Sequence, residues 1–489
     1  MKIIIATYSG KKLFFDMFIP DPGVAQIFGT LENHGIKPTF FDLNLPDNSF
    51  SKFLGFVRSE KPNLIAFKFF DTGFRAVIQL AEIIKKDNPN CIVIGVGPHV
   101  SLFREHIFHK TSIFDLIIVG EGELAVIDLI DYIIGKRSKH DIRNAIFQSD
   151  GDIIHNDVVL VNNLDSIALP NWFSLNLEQY FPLILLSDHR GCYQRCAFCA
   201  HNYLWGYRLL ENESFCYETV VRQKSLDRLC LETEILLQKG IRLFGFTDSS
   251  PMPNRLKDWS NFLLSSQKCV FWTSFANINQ FSNDDFKFLN KAGCKSLWIG
   301  VETGDEEILA KMGKSFKGED VIRTSIELEN NSILGVFGFI IGFPGETNLS
   351  IKKTLSLINR LQSNIYVISP FILDPGTPVA INPNHYAVSF ENDWECSIAL
   401  RDELNEFEIP YYRINGIPND QVWASFEKDI PYKGWDADRT IAESEYAAVL
   451  AAALDIPINF FVKKITEALS APDSTDIYKI IKDIWKATT

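Results

Sequence analysis

The chain has 489 residues, 46% hydrophobic and 22% charged, with a formal net charge of −13. That length and apolar content suit a large core spread over roughly two to four domains, while the acid excess gives no broad basic field for a phosphate backbone and so disfavours a nucleic-acid substrate. The opening apolar run ends before Ser9, Gly10, Lys11 and Lys12, too short for a secretory leader or a membrane span, so a cytoplasmic protein is expected.

From residue 3 to residue 123, short apolar runs (IIIA, TFFDL, LIAFKFF, CIVIGVG, LIIVGEGE) alternate with stretches of helical period such as VAQIFGTLENHG and AVIQLAEIIKK. This pattern predicts βαβ units with a parallel sheet, a Rossmann-like domain over residues 1–150. Gly97, Pro98 and His99, and then Gly120 to Glu123, follow strand-like runs at the ends where open α/β sheets bind ligands. Tight strand-to-helix turns explain the same glycines equally well.

Residues 151–180 are rich in Asn and Asp and close on Leu-Pro, which predicts a small hairpin and a linker. Six further strand-like runs follow, at LILLS, IRLFGF, CVFWTSF, SLWIGVE, GVFGFIIG and IYVISPF, each separated from the next by helical segments. Six units fall short of a closed eightfold barrel, so residues 181–380 are expected to form a partial (βα)6 TIM-type barrel. Residues 381–489 read as a mostly helical region that packs as core or covers the barrel mouth.

Nine cysteines without a secretory leader argue for metal binding, catalysis or packing instead of disulfides. Three are clustered: Cys192, Cys196 and Cys199, spaced C-x3-C-x2-C directly after a strand-like run. Three thiolates at that spacing can hold three corners of an iron–sulfur cubane and leave the fourth iron open to a chelating ligand. Zinc, with His201 as a fourth ligand, is the alternative metal. The other cysteines are single, and packing is the plain reading of each.

With Phe198 before the last thiol, the segment resembles the radical S-adenosylmethionine (SAM) superfamily, in the group with an N-terminal cobalamin (B12)-binding-like domain. Gly97-Pro98-His99, Gly120 to Glu123, Gly300 to Gly304, Gly342 to Thr347 and Pro375 to Pro378 are similar in order and spacing to the motifs of that group. The resemblance implies a [4Fe–4S] cluster on Cys192, Cys196 and Cys199, with SAM cleaved to a 5′-deoxyadenosyl radical that abstracts hydrogen from an organic substrate. It further implies that Phe198 lies against the adenine, Asp248 and Ser249 address the methionine amino group, and Glu302 contacts the ribose. Gly338, Ile340 and Gly342 would form the adenine platform, and Gly97, His99 and Glu121 would line the cobalamin side.

The reaction expected from the resemblance is cobalamin-dependent methyl transfer to a small molecule or peptide, with a flavodoxin- or ferredoxin-like reductant. No Asp-x-His-x-x-Gly stretch occurs in the chain, so a histidine on cobalt from that motif is not expected and cobalamin remains an optional cofactor. A radical epimerase needs a thiol outside the cluster, for which Cys396 in the variable tail is the candidate hydrogen donor. A non-catalytic iron–sulfur partner protein is the reading from another class.

Overall fold

The computed structural model describes residues 1–10, 18–70, 73–205, 221–362, 365–390, 412–427, 445–471 and 475–488. The first domain is a sheet of strands β1 (Ile3–Tyr8), β2 (Thr39–Asp42), β3 (Leu64–Phe69), β4 (Ile92–Val96) and β5 (Leu116–Ile118), extended by the hairpin β6 (Ala145–Ser149) and β7 (Asp152–His155). Its spatial order is β2-β1-β3-β4-β5-β6-β7, parallel as far as β5 and antiparallel beyond. Strands β1, β3 and β5 are buried on both faces, and this accounts for their unbroken apolar runs. Helices α1 (Pro22–Asn33), α2 (Phe50–Glu60), α3 (Phe74–Asp87), α4 (Pro98–Phe103) and α5 (Glu123–Ile133) connect or follow them.

The hairpin was expected after residue 150, but its first strand starts earlier. Asp150 and Gly151 occupy its two-residue turn, both with positive φ, and Ala145, Ile146 and Phe147 are buried as part of the first domain's sheet.

The second sheet is wholly parallel, in the order β15-β14-β13-β12-β11-β8, and its edge strands β8 and β15 do not pair with each other. Its strands are β8 (Leu183–Leu186), β11 (Leu243–Phe246), β12 (Phe271–Ala276), β13 (Cys294–Glu302), β14 (Leu334–Ile341) and β15 (Tyr366–Pro370). Between β8 and β11 stand the two-residue strands β9 (His189–Arg190) and β10 (Arg222–Gln223), which pair antiparallel. Local signals set the helix starts. Ser225 caps α7 (Leu226–Gln238) after the four-residue α6 (His201–Leu204), α8 (Pro253–Ser265) opens on proline, and a Ser282–Asp285 capping box starts α9 (Asn283–Lys291). After β13 come α10 (Glu306–Lys311) and α11 (Gly318–Asn330), and after β14 comes α12 (Asn348–Ile358).

The carboxy-terminal region is helical but also strand-forming. It follows the short α13 (Pro378–Ile381) with a three-stranded antiparallel sheet, β16 (Val388–Phe390), β17 (Tyr412–Ile414) and β18 (Ile417–Pro418). Helices α14 (Asn419–Glu427), α15 (Glu445–Ala453), α16 (Ile458–Ser470) and α17 (Thr475–Thr488) complete it. On the helix-lined face of the barrel sheet, Phe244, Phe246 and Trp272 pack against Trp259 of α8. The opposite, inner face receives α15, whose Ala447, Val449, Leu450 and Ala451 are buried with Leu183 and Leu243. Ser296 on β13 donates to the Glu445 carbonyl at 2.6 Å, so the tail enters the barrel and does more than cover its mouth.

No single helix among the described residues is long and apolar enough to cross a membrane. The pair α15 and α16 is apolar enough in combination but is bent by 100°.

Candidate active site

The cysteine loop leaves β9 at Gly191 and is held on several sides. Asn202 at the start of α6 accepts from the Cys192 amide at 2.8 Å, the Ala197 amide donates to the Met312 carbonyl at 3.0 Å, and the Val379 amide donates to the Ala197 carbonyl at 3.2 Å. Gly313, with φ +83°, passes so close that a Cβ there would lie 2.9 Å from the Arg195 carbonyl oxygen. The loop conformation is therefore fixed by three separate segments of the chain.

Cys192 and Cys196 are buried, and Cys199 keeps solvent access. Burial pushes the Cys196 thiol up to about 12, against the pull of Lys314, and Cys199, Glu302 and Cys192 add to the rise. A set of three neighbouring thiols whose thiolates repel one another suits a cationic metal centre, and an iron–sulfur cluster fits this soft donor set. His201, the fourth ligand of the zinc alternative, accepts at Nε2 from the indole of Trp205 at 3.1 Å, which occupies one of its two ring nitrogens.

Beside the loop, at the carboxyl end of the barrel, lies a cavity of about 280 Å³ lined by Phe198, Trp298, Glu302, Gly338, Ile340 and Asp374 among others. Four residues expected to contact SAM thus meet in one cavity. Glu302 sits at φ +69° and its carboxylate pairs with Lys314 Nζ at 2.5 Å. Burial pulls the Lys314 ammonium down, but Glu302 and Cys196 outweigh it and its pKa stands above the ordinary value. Lys314 also lies 6.0 Å from the Phe198 ring centroid. Lys314, Trp298 and Asp374 were not singled out from the sequence; the lysine's signal was its place in the loop just beyond α10, the helix that follows Glu302.

Other expected contacts lie elsewhere. Gly342 does not line this cavity; its amide donates to Glu346 Oε2 at 2.6 Å. Asp248 is buried with its carboxylate turned to the end of β8, accepting from the amides of Asp188 (2.8 Å) and His189 (3.3 Å). Burial, with Asp248 next, pushes Asp188 up to about 6. Ser249 borders neither cavity among the described residues. Cys396 lies outside the described residues. Cys294 is fully buried in β13, and burial pushes its thiol far up, as for a packing residue.

A larger cavity, about 410 Å³, occupies the first domain between its sheet and helices α1 and α5. Ile5, Ala66, Ile94, Ile27 and Leu129 give it an apolar depth, and it opens at the carboxyl ends of the strands beside Gly23, Lys68, Gly97 and Glu121. Across that opening stand Ser187, Arg190, Trp205 and Thr247 of the barrel domain. Gly97, at φ +98°, lets the chain turn there, since a Cβ would meet the Lys68 side chain at 2.8 Å. His99 points away, enclosed by the rings of Phe69, Phe74 and Phe103 at centroid distances of 4.6–5.4 Å. The slot's open rim and long apolar end fit a flat macrocycle carrying a tail, which is the shape of cobalamin.

Glu121 borders the slot but is committed to ion pairs. Its Oε1 lies 3.1 Å from Arg190 and 2.7 Å from Arg222, and its Oε2 accepts from the Val161 amide. Glu123 pairs with Arg190 as well. These buried charges join the two domains at the root of the cysteine loop.

Comparison with known proteins agrees with this division. Residues 15–130 match the B12 binding domain family and residues 186–358 match the radical SAM superfamily. Among curated proteins, the chain is 24% identical over 340 residues to an uncharacterized methyltransferase, PH0819, of Pyrococcus horikoshii, covering 67% of this chain and 71% of that one. It is 23% identical over 315 residues to the anaerobic magnesium-protoporphyrin IX monomethyl ester cyclase of Rubrivivax gelatinosus, covering 61% and 54%. Among solved structures, the fold is shared with the radical SAM methyltransferase TsrM of Kitasatospora setae, solved with cobalamin and a [4Fe–4S] cluster bound (TM-score 0.70, 15% identity, 96% of this chain and 100% of that one). It is shared too with the cobalamin-dependent radical SAM enzyme OxsB (TM-score 0.63, 16% identity, 98% and 70%).

Proposed function

Because the chain is a radical SAM enzyme carrying an amino-terminal B12-binding domain, we propose that it is a cobalamin-dependent methyltransferase acting on a small organic molecule or peptide. One observation carries the reading: the slot of the first domain opens onto the strand ends of the second and the residues that flank its cysteine loop, so that Lys68 and Gly97 face Arg190, Trp205 and Thr247 across a shared space. A group held in that slot and a nucleotide held beside Phe198 would both border the barrel mouth.

When bound, the cluster supplies the electron that cleaves SAM to a 5′-deoxyadenosyl radical, and the corrinoid supplies the methyl group. The chain's own residues position these partners. Cys192, Cys196 and Cys199 hold the cluster, while Phe198, Glu302, Gly338 and Ile340 enclose the nucleoside. Lys314 pairs with the Glu302 carboxylate and holds it in place. Lys68, paired with Asp21 at 2.5 Å, stands at the rim of the slot.

The test is anaerobic loading with hydroxocobalamin followed by SAM and reductant. Retained corrinoid bands, with release of 5′-deoxyadenosine and S-adenosylhomocysteine, are the expected result. Deoxyadenosine without corrinoid retention would instead point to a radical reaction that returns hydrogen. Absence of both products, with the cluster intact, would favour a non-catalytic iron–sulfur protein.

A further inference from the structure

We propose that Asp188, His189 and Asp248 form a metal site separate from the cysteine cluster, one that takes a divalent transition ion such as zinc. The three side chains meet where β8 passes into β9 and where β11 ends, at the carboxyl end of the barrel. All three are buried, His189 to 2% exposure. Their potential ligand atoms lie within 4.8 Å of one another.

The imidazole is the observation that points to an ion. Among the described residues neither of its ring nitrogens has a hydrogen-bond partner, although a buried histidine ordinarily has one. Its Nδ1 is aimed between the two acids, 3.7 Å from Asp248 Oδ2 and 4.0 Å from Asp188 Oδ2. Those distances are long for hydrogen bonds. Donor atoms around a tetrahedral zinc stand about 3.4 Å apart, given bonds of about 2.1 Å, so closures of about half an ångström from His189 to each acid, and of at most about 1.4 Å within the group, bring the three into coordination range.

The neighbours leave room for this role. Asp188 Oδ2 accepts from Gln223 at 2.6 Å and its Oδ1 lies 3.2 Å from Arg255 Nε. Asp248 accepts from the Asp188 and His189 amides and, at 3.3 Å, from the Ser187 hydroxyl. The Tyr193 ring lies 6.0 Å from the imidazole. Two buried carboxylates thus face one guanidinium, an excess of negative charge that attracts a cation. Asp188 Oδ2 and Asp248 Oδ2, the oxygens nearest the imidazole, each accept one hydrogen bond and keep a further lone pair, whereas Asp248 Oδ1 already accepts two. The outer partners Gln223 and Arg255 would orient Asp188, as second partners commonly do around a metal. One imidazole and two carboxylates suit zinc among borderline ions, and three protein ligands leave a coordination position open.

The experiment uses the full chain with its iron–sulfur cluster in place, treated with a chelator and then offered Zn(II) alone. Mass spectrometric metal analysis should find a zinc ion per chain, with affinity lowered about tenfold or more in His189→Gln and in Asp188→Asn while iron content stays the same. Zinc uptake equal in the variants and the parent, or no uptake by the parent, overturns the site. If a variant loses its iron and so its fold, anomalous scattering at the zinc edge from crystals of the unmodified protein decides. A peak among Asp188, His189 and Asp248 supports the assignment, and its absence there removes it.

Discussion

Arg190 Nη1 lies 3.1 Å from Glu121 Oε1, which ties the first residue pair ahead of the cysteine loop to the strand-end turn of the other domain. Arg222 shares the same carboxylate oxygen at 2.7 Å. All of these side chains are buried, so the charges depend on one another. Arg222→Met should cost about 3–5 kcal/mol in urea unfolding, because Glu121 loses much of its compensation. The double variant Glu121→Gln/Arg222→Met should recover more than half of that loss. Equal instability of the single and double variants would show that the pair itself adds little.

Lys314 is the one ammonium between Glu302 and the cysteine loop among the described residues. Lys314→Met should leave iron content unchanged and lower the kcat/KM for 5′-deoxyadenosine formation by about 100-fold, since a buried carboxylate loses its charged partner beside the nucleoside cavity. Arginine at the same position should restore part of the rate. Full activity in the methionine variant would remove Lys314 from the site.

Ala66 lies on the sheet wall of the first domain's slot. Ala66→Phe should fill that space, reduce corrinoid retention at least about tenfold in a gel-filtration assay, and cost about 1–3 kcal/mol of stability. The iron spectrum should be unaffected. Unchanged corrinoid binding would mean that the slot holds something else.

Glu346 is pushed up to about 7, chiefly by burial. Its folded pKa lies above its unfolded one, so its contribution to stability is complete below about 4.5 and is lost as pH rises through 7. Between pH 5 and pH 8 the parent protein should therefore lose about 1–3 kcal/mol that Glu346→Gln does not, because the amide oxygen can still accept from Gly342. Parallel melting curves across this range would contradict the assignment.

Strand and helix alternation was legible because parallel strands buried on both faces must be apolar throughout. The cysteine triad was legible because its spacing is local, and Phe198 and Glu302 because they stand in ordered motifs around it. What could not be read were directions and distant meetings. His99 follows a strand end, yet nothing in Gly97-Pro98-His99 tells that its ring turns into the aromatic core with Phe69 and Phe74. Asp248 ends a barrel strand, but its carboxylate serves two amides of β8 and β9, a pairing set by the sheet. Lys314 meets Glu302 only because the chain doubles back after α10. The run Tyr446-Ala-Ala-Val-Leu-Ala-Ala-Ala marks an apolar helix, and its small side chains suit a narrow lumen only once six strands have formed that lumen.

The helix inside the barrel has a consequence for the order of events during translation. Strands β8 to β15 leave the ribosome well before α15 does, so Leu183, Leu243 and their neighbours must wait in a wet, half-finished trough. A nascent chain halted in that interval would present a sticky inner wall to chaperones and to other chains. Completion of this domain is timed by the arrival of its plug.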